Sequence, residues 1–341
     1  MSDHQSIDLA RHQSDDSLPI LGTSPDLLDL DKVARHIDKA RDNERFRGPF
    51  DPSEYLLARR CLVVTDAGTQ ATIAGILCFG RSPQAILPRA VVDLGHYLGV
   101  ETVSNEVMHL EKDIGGTIFD QLDRIETYLW ANTHHGMRLS ETSSERQDVH
   151  QYPRAVIREL VVNMLGHRDY QNFRSASRVH LFRNRIEWIS PGGLPPGVTI
   201  ENILYAQASR NPAILSILYD AKLVEAFGQG LDTVVATLRR EGMQPPTFED
   251  VGTFFVATVM GRPAEALYSG AYAQLTDRQR RILAFIRMQG ETTPREIAVL
   301  FDQQVTIRSL QRDLKELLEA DMIVDEGKGR AVRYRLSDII R

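Results

Sequence analysis

The order of apolar patterns along the chain predicts an α+β protein built in several parts, on three observations. Strand-like and helix-like stretches are mixed between residues 29 and 260, without the regular strand–helix alternation of a doubly wound sheet. Two glycine turns, Pro191-Gly192-Gly193 and Gly228-Gln229-Gly230, punctuate the middle of that mixture. Residues 274–341 then pattern as three short helices followed by a hairpin. The 341 residues suffice for two or three domains with a sizeable core.

Taken in order, residues 1–20 carry Asp3, Asp8, Asp15 and Asp16 among Ser, Gln and His, with too little apolar content to repay ordering, and are expected as a disordered tail. Residues 21–139 form the expected amino-terminal α/β region. Leu30, Val33, Ala34 and Ile37 predict a helix over 29–42, Gly48-Pro49-Phe50-Asp51-Pro52 breaks it, and a short helix follows near 53–60. Three strand-like runs come next, 61–65, 72–79 and 90–97, before a long helix over 116–132 whose Ile118, Leu122, Ile125 and Leu129 repeat at helical spacing. Residues 140–150 are polar and read as a linker or exposed hairpin. The block 151–262 is expected to hold a helix over 153–165, a strand pair at 178–182 and 185–189, a helix over 231–241 and a strand over 253–260. After a linker at 263–273, residues 274–341 read as helices over 277–289, from Thr293-Pro294, and over 306–320, with a hairpin over 322–336 turning at Gly327-Lys328-Gly329. Three short helices and a two-stranded wing describe a winged helix-turn-helix.

Composition narrows the function classes. With 42% hydrophobic and 25% charged residues the chain is globular. It has no run of 18 apolar residues and no basic stretch leading into an apolar one near Met1, so no membrane partner and a cytoplasmic location are expected. Cys61 and Cys78 are too few for a disulfide framework or a four-thiolate zinc site, and both sit in apolar runs that predict burial. A net charge of −6 argues against a protein that coats nucleic acid with its whole surface. Residues 274–341 nevertheless hold more Lys and Arg than Asp and Glu, so any nucleic-acid contact is expected there.

In that last segment Ile307, Leu310, Leu314 and Leu317 form one apolar stripe of the third helix, leaving Arg308, Gln311, Arg312 and Lys315 opposite. Arg and Gln make bidentate base contacts, Lys suits phosphate, and Lys328, Arg330, Arg333 and Arg335 add positive charge on the wing. Double-stranded DNA is the partner this face predicts, met as a homodimer on two half-sites. The alternative is a solvated face on a dimerisation module, since Asp313 and Glu316 interrupt the positive run.

In the middle block Glu159 and Asn163 stand four apart on a helix and share a face, where a carboxylate can orient water and an amide oxygen can ligate a metal ion. The two glycine turns downstream allow backbone N–H groups to approach a base or phosphate, and a helix amino terminus favours anions. Helix with Glu and Asn, strand, glycine turn, variable segment, glycine turn and helix is the order of an adenine-nucleotide site in the Bergerat fold. The alternative is that the glycines serve tight turns and Asn163 caps or packs.

Four ordered blocks sharpen this. Residues 158–170 (Arg-Glu-Leu-Val-Val-Asn-Met-Leu-Gly-His-Arg-Asp-Tyr), 185–195 (Arg-Ile-Glu-Trp-Ile-Ser-Pro-Gly-Gly-Leu-Pro), Ser209-Arg210-Asn211-Pro212 and 225–231 (Glu-Ala-Phe-Gly-Gln-Gly-Leu), together with Ala74–Gly80 and Leu87-Pro88, resemble bacterial transcriptional regulators whose middle domain is RecG C-terminal-like. That domain is a divergent relative of the GHKL ATPases of gyrase, histidine kinases and mismatch repair. The resemblance spans residues 60–260 and implies a Bergerat (GHKL)-like α/β sandwich at 151–262, ATP and Mg2+ as cofactors, and a carboxyl-terminal winged helix. By position, Glu159 matches the water-orienting carboxylate and Asn163 the magnesium ligand. Gly192 and Gly193 match the adenine-side turn, and Gly228 and Gly230 the phosphate-side turn. Ser190 stands where the active ATPases place an aspartate on the adenine amino group, which weakens or relaxes adenine recognition. The Schlafen AlbA-type domain usual for the group is expected to be missing.

The chain lacks a Gly-x-x-x-x-Gly-Lys-Ser/Thr loop, so helicase activity is not expected. His167-Arg168-Asp169 imitates a kinase catalytic loop, but Arg174 stands where that loop has Asn and there is no Asp-Phe-Gly. His167 and Arg168 are therefore candidates for phosphate contact or for hydrogen bonding and packing around the site. Arg210 and Asn211, between the glycine turns where a lid would lie, are further nucleotide-binding candidates, with a surface turn ended by Pro212 as the alternative. The expected function is a DNA-binding transcriptional regulator whose GHKL-like domain senses ATP, ADP or a partner. The alternatives are an ATP-hydrolysing enzyme recruited by its winged helix, and an interaction module with an empty site.

Overall fold

A computed structural model describes residues 15–42, 46–102, 107–139, 146–206, 208–224, 230–263, 267, 275–301, 305–327 and 332–337. Two compact units arise, one within Met1–Leu129 and Pro153–Gly261, the other within Trp130–Tyr152 and Arg262–Arg341.

In the first unit, helix α1 (Leu30–Arg41) starts where Asp29 accepts the N–H groups of Asp31 and Lys32, and α2 (Pro52–Ala58) where Asp51 accepts those of Ser53 and Glu54. Strands β1 (Leu62–Thr65) and β2 (Gly68–Ala71) pair as a small hairpin. The expected strand over 72–79 is instead a helix, α3 (Ile73–Phe79). Thr72 caps it by accepting the Gly75 N–H at 3.1 Å, and every residue of the helix is buried. A segment apolar on all sides carries no periodicity to tell strand from helix. After α4 (Pro83–Ile86) come β3 (Val92–Tyr97), β4 (Val107–Ile114) and α5 (Ile118–Asn132).

The remaining strands of this unit are β7 (Ser177–Leu181), β8 (Arg185–Pro191), β9 (Thr247–Asp250) and β10 (Phe254–Met260). They join β3 and β4 in one six-stranded sheet of order β4-β3-β7-β8-β10-β9. Only the β3–β7 pair, Val92 opposite Ser177, is parallel. The regions expected to separate at 140–150 thus share a sheet. Helix α6 (Arg154–Gly166) packs on β8 and against α8 (Gly230–Arg240). Between them in sequence lies α7 (Pro212–Asp220), which, like β4 and β9, was not foreseen.

Part of the expected tail is built into this unit. Asp16 is fully buried, and its Oδ2 accepts the Ile214 N–H at 2.8 Å, in the first turn of α7 where Asn211 makes no side-chain cap. At the other end of α7, buried Asp220 accepts from the Tyr55 hydroxyl at 2.7 Å and from Arg59 Nε and Nη2 at 2.6 and 2.9 Å. His36 Nε2 lies 2.8 Å from the same hydroxyl, which ties α1 and α2 to α7. Burial outweighs the nearby Asp220 carboxylate and pushes the His36 pKa down to about 4.

In the second unit the segment 140–150, expected as linker or hairpin, holds β6 (Arg146–His150), which pairs with β5 (His135–Leu139) just before that segment. Helices α9 (Asp277–Gln289) and α10 (Pro294–Val299) both begin with capping boxes, Thr276 with Gln279 and Thr293 with Glu296. Helix α11 (Ile307–Glu319) follows, then the hairpin strands β11 (Ile323–Glu326) and β12 (Arg333–Leu336). Ile282, Ile286, Ile297, Leu310, Leu314 and Leu317 form the core of this unit. Two positions differ from expectation. Asp313 faces inward, 1% exposed, and is paired with Arg278, so it does not interrupt the outer face. Ile307, expected in the apolar stripe, is 73% exposed, because it lies two turns before Leu314, past the end of the core. The linker at 263–273 falls almost wholly outside the described residues.

Candidate functional site

The first unit holds a cavity of about 510 Å³ between α6, one face of β8 and β10, α7 and the start of α8. That volume suits a small-molecule or cofactor ligand. Glu159, Asn163 and His167 reach it from α6, Ser190, Gly192 and Gly193 from the end of β8, and Gly230 from α8.

The pair on α6 is mutually fixed. Asn163 Nδ2 donates to the Glu159 carbonyl and to Glu159 Oε1, both at 2.8 Å. Its amide nitrogen is thereby used, and Oδ1 is the atom left to meet a ligand. The first residue of α8 closes on this pair. A Cβ at Gly230 would lie 1.9 Å from Glu159 Oε1 and 3.3 Å from Asn163 Nδ2, so any larger residue here would push the end of the Glu159 side chain out of its place beside Asn163. Gly228, matched with the same turn, lies outside the described residues.

The other glycine turn is a built corner. Gly192 has φ +96° and donates its N–H to Thr253 at 2.9 Å, while Asp169 donates its backbone N–H to Pro191 at 2.8 Å. Arg210 fastens the corner from the far side. Its Nη2 donates to Gly193 O at 3.1 Å and its Nη1 lies 3.5 Å from Asp169 Oδ2, a pairing the sequence reading did not anticipate. Ser190 donates its hydroxyl proton to Met164 O at 2.9 Å, which leaves the oxygen with lone pairs only: an acceptor, as an aspartate is, without its charge.

The remaining candidates divide by what their side chains touch. His167 opens on the cavity, and the enclosing protein, with Arg210 as a second cause, disfavours its protonated form and lowers its pKa. Arg168 points away from the cavity. At 1% exposure its guanidinium donates to the carbonyls of Val91 and Ser175 at 2.9 and 2.8 Å and to that of Arg89, knitting β3 to the loop before β7. Asn211 is equally occupied, its Nδ2 donating to Gly166 and Arg168 carbonyls at 3.0 and 2.7 Å. The apolar wall comes from Trp188, within the 185–195 block, and from residues no motif marked, among them Leu215, Tyr219 and Phe255. Pro212, a residue suited to a first helical turn, with Leu215 and Tyr219 four apart behind it, was the available signal for the α7 part of that wall.

In the second unit, the outer face of α11 presents Arg308, Gln311, Arg312 and Lys315. Arg312 and Lys315 lean on Glu316 and Glu319 at 3.8 and 3.6 Å, and Arg333 on β12 is paired with Glu291. Lys328 and Arg330 lie outside the described residues.

Among the described residues no three His, Cys, Asp or Glu side chains gather to hold a metal ion, and no helix is long and apolar enough to cross a membrane. Residues 175–259 match the family described as "Putative ATP-dependent DNA helicase recG C-terminal". This places an ATPase-like domain of RecG C-terminal type on the strands and glycine turns of the cavity. No curated protein matches the chain. The crystal structure of the DIP2311 protein from Corynebacterium diphtheriae is similar in fold, with TM-score 0.59 at 20% identity, over 98% of this chain and 66% of that one. This chain therefore spans less than two thirds of that protein's length.

Proposed function

We propose that the cavity binds an adenine nucleotide, ATP or ADP, with Mg2+. The carboxyl-terminal unit is then a winged helix-turn-helix that binds double-stranded DNA as a homodimer, which makes the protein a cytoplasmic transcriptional regulator. One observation carries the nucleotide reading: Gly230, distant in sequence, meets the Glu159 and Asn163 pair in one cavity, so close that a Cβ there would displace the Glu159 carboxylate. The donor set fits. Asn163 Oδ1 is a hard oxygen for Mg2+, which is commonly held by few protein ligands together with substrate phosphates, and so needs no three-residue cluster. Ser190 Oγ offers lone pairs to an amino group, and the amino terminus of α8 suits phosphate. Bound Mg2+ would supply charge neutralisation at the phosphates, and the protein would supply orientation and an apolar wall for the base.

Calorimetry of ATP and ADP with Mg2+ tests this. Micromolar binding that disappears in Asn163→Ala supports it, and absence of binding to the native chain refutes it, leaving an interaction module. A ligand that favours one arrangement of the protein biases DNA binding only through a difference in affinity between states. DNA affinity measured with and without ATP is thus the second test. The position of the Glu159 carboxylate favours one further reading, ATP hydrolysis with Glu159 orienting water. Phosphate release abolished in Glu159→Ala with DNA binding intact would establish it, and no release from the native chain would exclude it.

A further inference from the structure

Of the large apolar side chains on the second unit, Ile307 stands out because sequence pattern places it in the core stripe of α11 and the structure leaves it 73% exposed. A site where local patterning and tertiary placement disagree is where function is to be sought. Ile307 is the first residue of α11, directly after the capping Thr306, whose Oγ1 accepts the Ser309 N–H at 3.2 Å. Gln311 lies one turn on and on the same side, and Arg308 is its neighbour in sequence. Neither Arg308 nor Gln311 has a hydrogen bond or ion pair among the described residues, whereas Arg312 and Lys315, further along, lean on Glu316 and Glu319. The start of α11 is therefore one apolar side chain flanked by a guanidinium and an amide that have no partner among the described residues.

Each of these groups has a counterpart on the major-groove edge of a base pair. Arg and Gln match guanine and adenine, and an exposed aliphatic side chain matches the 5-methyl group that only thymine carries. Resting on the DNA-binding reading above, we infer that Ile307 is a specificity-determining residue whose side chain covers a thymine 5-methyl group, next to bases read by Arg308 and Gln311. The positive charge on the same face favours DNA as the occupant over a second copy of this chain, which would bring the same cations against themselves.

The test selects binding sites for the full chain from random duplexes. It then compares the selected duplex with one in which each thymine in turn is replaced by deoxyuridine, which pairs identically and lacks only the methyl group. At one position the replacement should weaken the native protein about three- to tenfold, the effect of one to two buried methyl-sized groups. Ile307→Ala should lose that difference and Ile307→Val should keep most of it. Because Ile307 lies outside the core, the variant should keep its native circular dichroism. If every uracil substitution is silent, or if Ile307→Ala remains as sensitive as the native chain, the inference fails while DNA binding stands. If Ile307→Ala instead dissociates a dimer and leaves thymine preference unchanged, the residue is a subunit contact and the inference is overturned. If no duplex is enriched or bound, the DNA-binding reading itself fails and the inference with it.

Discussion

The cavity of the first unit and the outer face of α11 are built on opposite principles. Around the cavity and in the framework behind it nearly every polar side chain is already held by the protein: Asn163 by Glu159, Ser190 by Met164, Arg210 by Gly193 and Asp169, and, behind the wall, Arg168 by three carbonyls. On α11 the side chains of Ile307, Arg308 and Gln311 project into solvent without a hydrogen bond or ion pair among the described residues, and the cations further along have exposed i,i+4 partners. Groups fixed in advance lose little freedom when a ligand arrives, so the first arrangement suits a small ligand of defined shape. Mobile long side chains can adjust to a groove and to phosphates, which suits a polymer. The contrast teaches that a substitution near the cavity should act on stability and binding together, whereas one on α11 should act on binding alone.

The largest expected effect would break the contrast if it failed to appear. Arg168→Ala strips one buried and two half-buried carbonyls of their donor and should cost about 3–5 kcal/mol, read as a lower urea midpoint. Acid comes next. His36 and His96 are both buried with pKa pushed down to about 4, chiefly by burial, so the folded chain holds them neutral while the unfolded chain protonates near 6.5. Their contribution is complete above pH 6.5 and drains as pH falls toward 4. Urea unfolding at pH 7 and pH 4.5 should differ by about 2–3 kcal/mol for each of the two histidines, about 5 kcal/mol together, and a His36→Gln, His96→Gln variant should show a smaller difference. Gly230→Ala drives a methyl group into the Glu159 carboxylate and should weaken nucleotide binding at least tenfold, with a stability loss of about 1 kcal/mol, separable by calorimetry and urea unfolding. The smallest effect sharpens the comparison from the other side. Lys315→Ala breaks only an exposed pair with Glu319 and should shift stability by less than about 0.5 kcal/mol, while the salt dependence of DNA binding falls by about one unit of slope.

Local chemistry in the sequence foretold much of this. Asp29, Asp51, Thr276 and Thr293 mark helix starts because their side chains accept the first free N–H groups wherever the helix then packs. The stripe of Leu310, Leu314 and Leu317 was legible because amphipathic helices repeat every 3.6 residues. The α3 segment was misread because an all-apolar run has no such repeat, and β9 because four mostly exposed residues carry little apolar signal. At the cavity, the Glu159 and Asn163 pair was visible from spacing, and Ser190 only through the resemblance to the GHKL ATPases. That Arg168 would turn inward while His167 turned to the cavity was not visible, since adjacent residues on a chain leaving a helix follow the packing that receives them.

Spacing and capping by themselves determined which side chains share a face, where helices begin, and that a Glu/Asn helix precedes two glycine turns, because these depend on geometry within a few residues. Tertiary structure alone decided that the amino-terminal β3 and β4 extend the same sheet as β7, β8, β9 and β10, and that Asp16 would serve as a cap for α7. It also brought Gly230 against Glu159 and left Ile307 beyond the core of its own helix. Each of these is a meeting of residues far apart in the chain or a question of where a core ends. Such meetings are set by how whole elements fill space against one another, which no local pattern encodes.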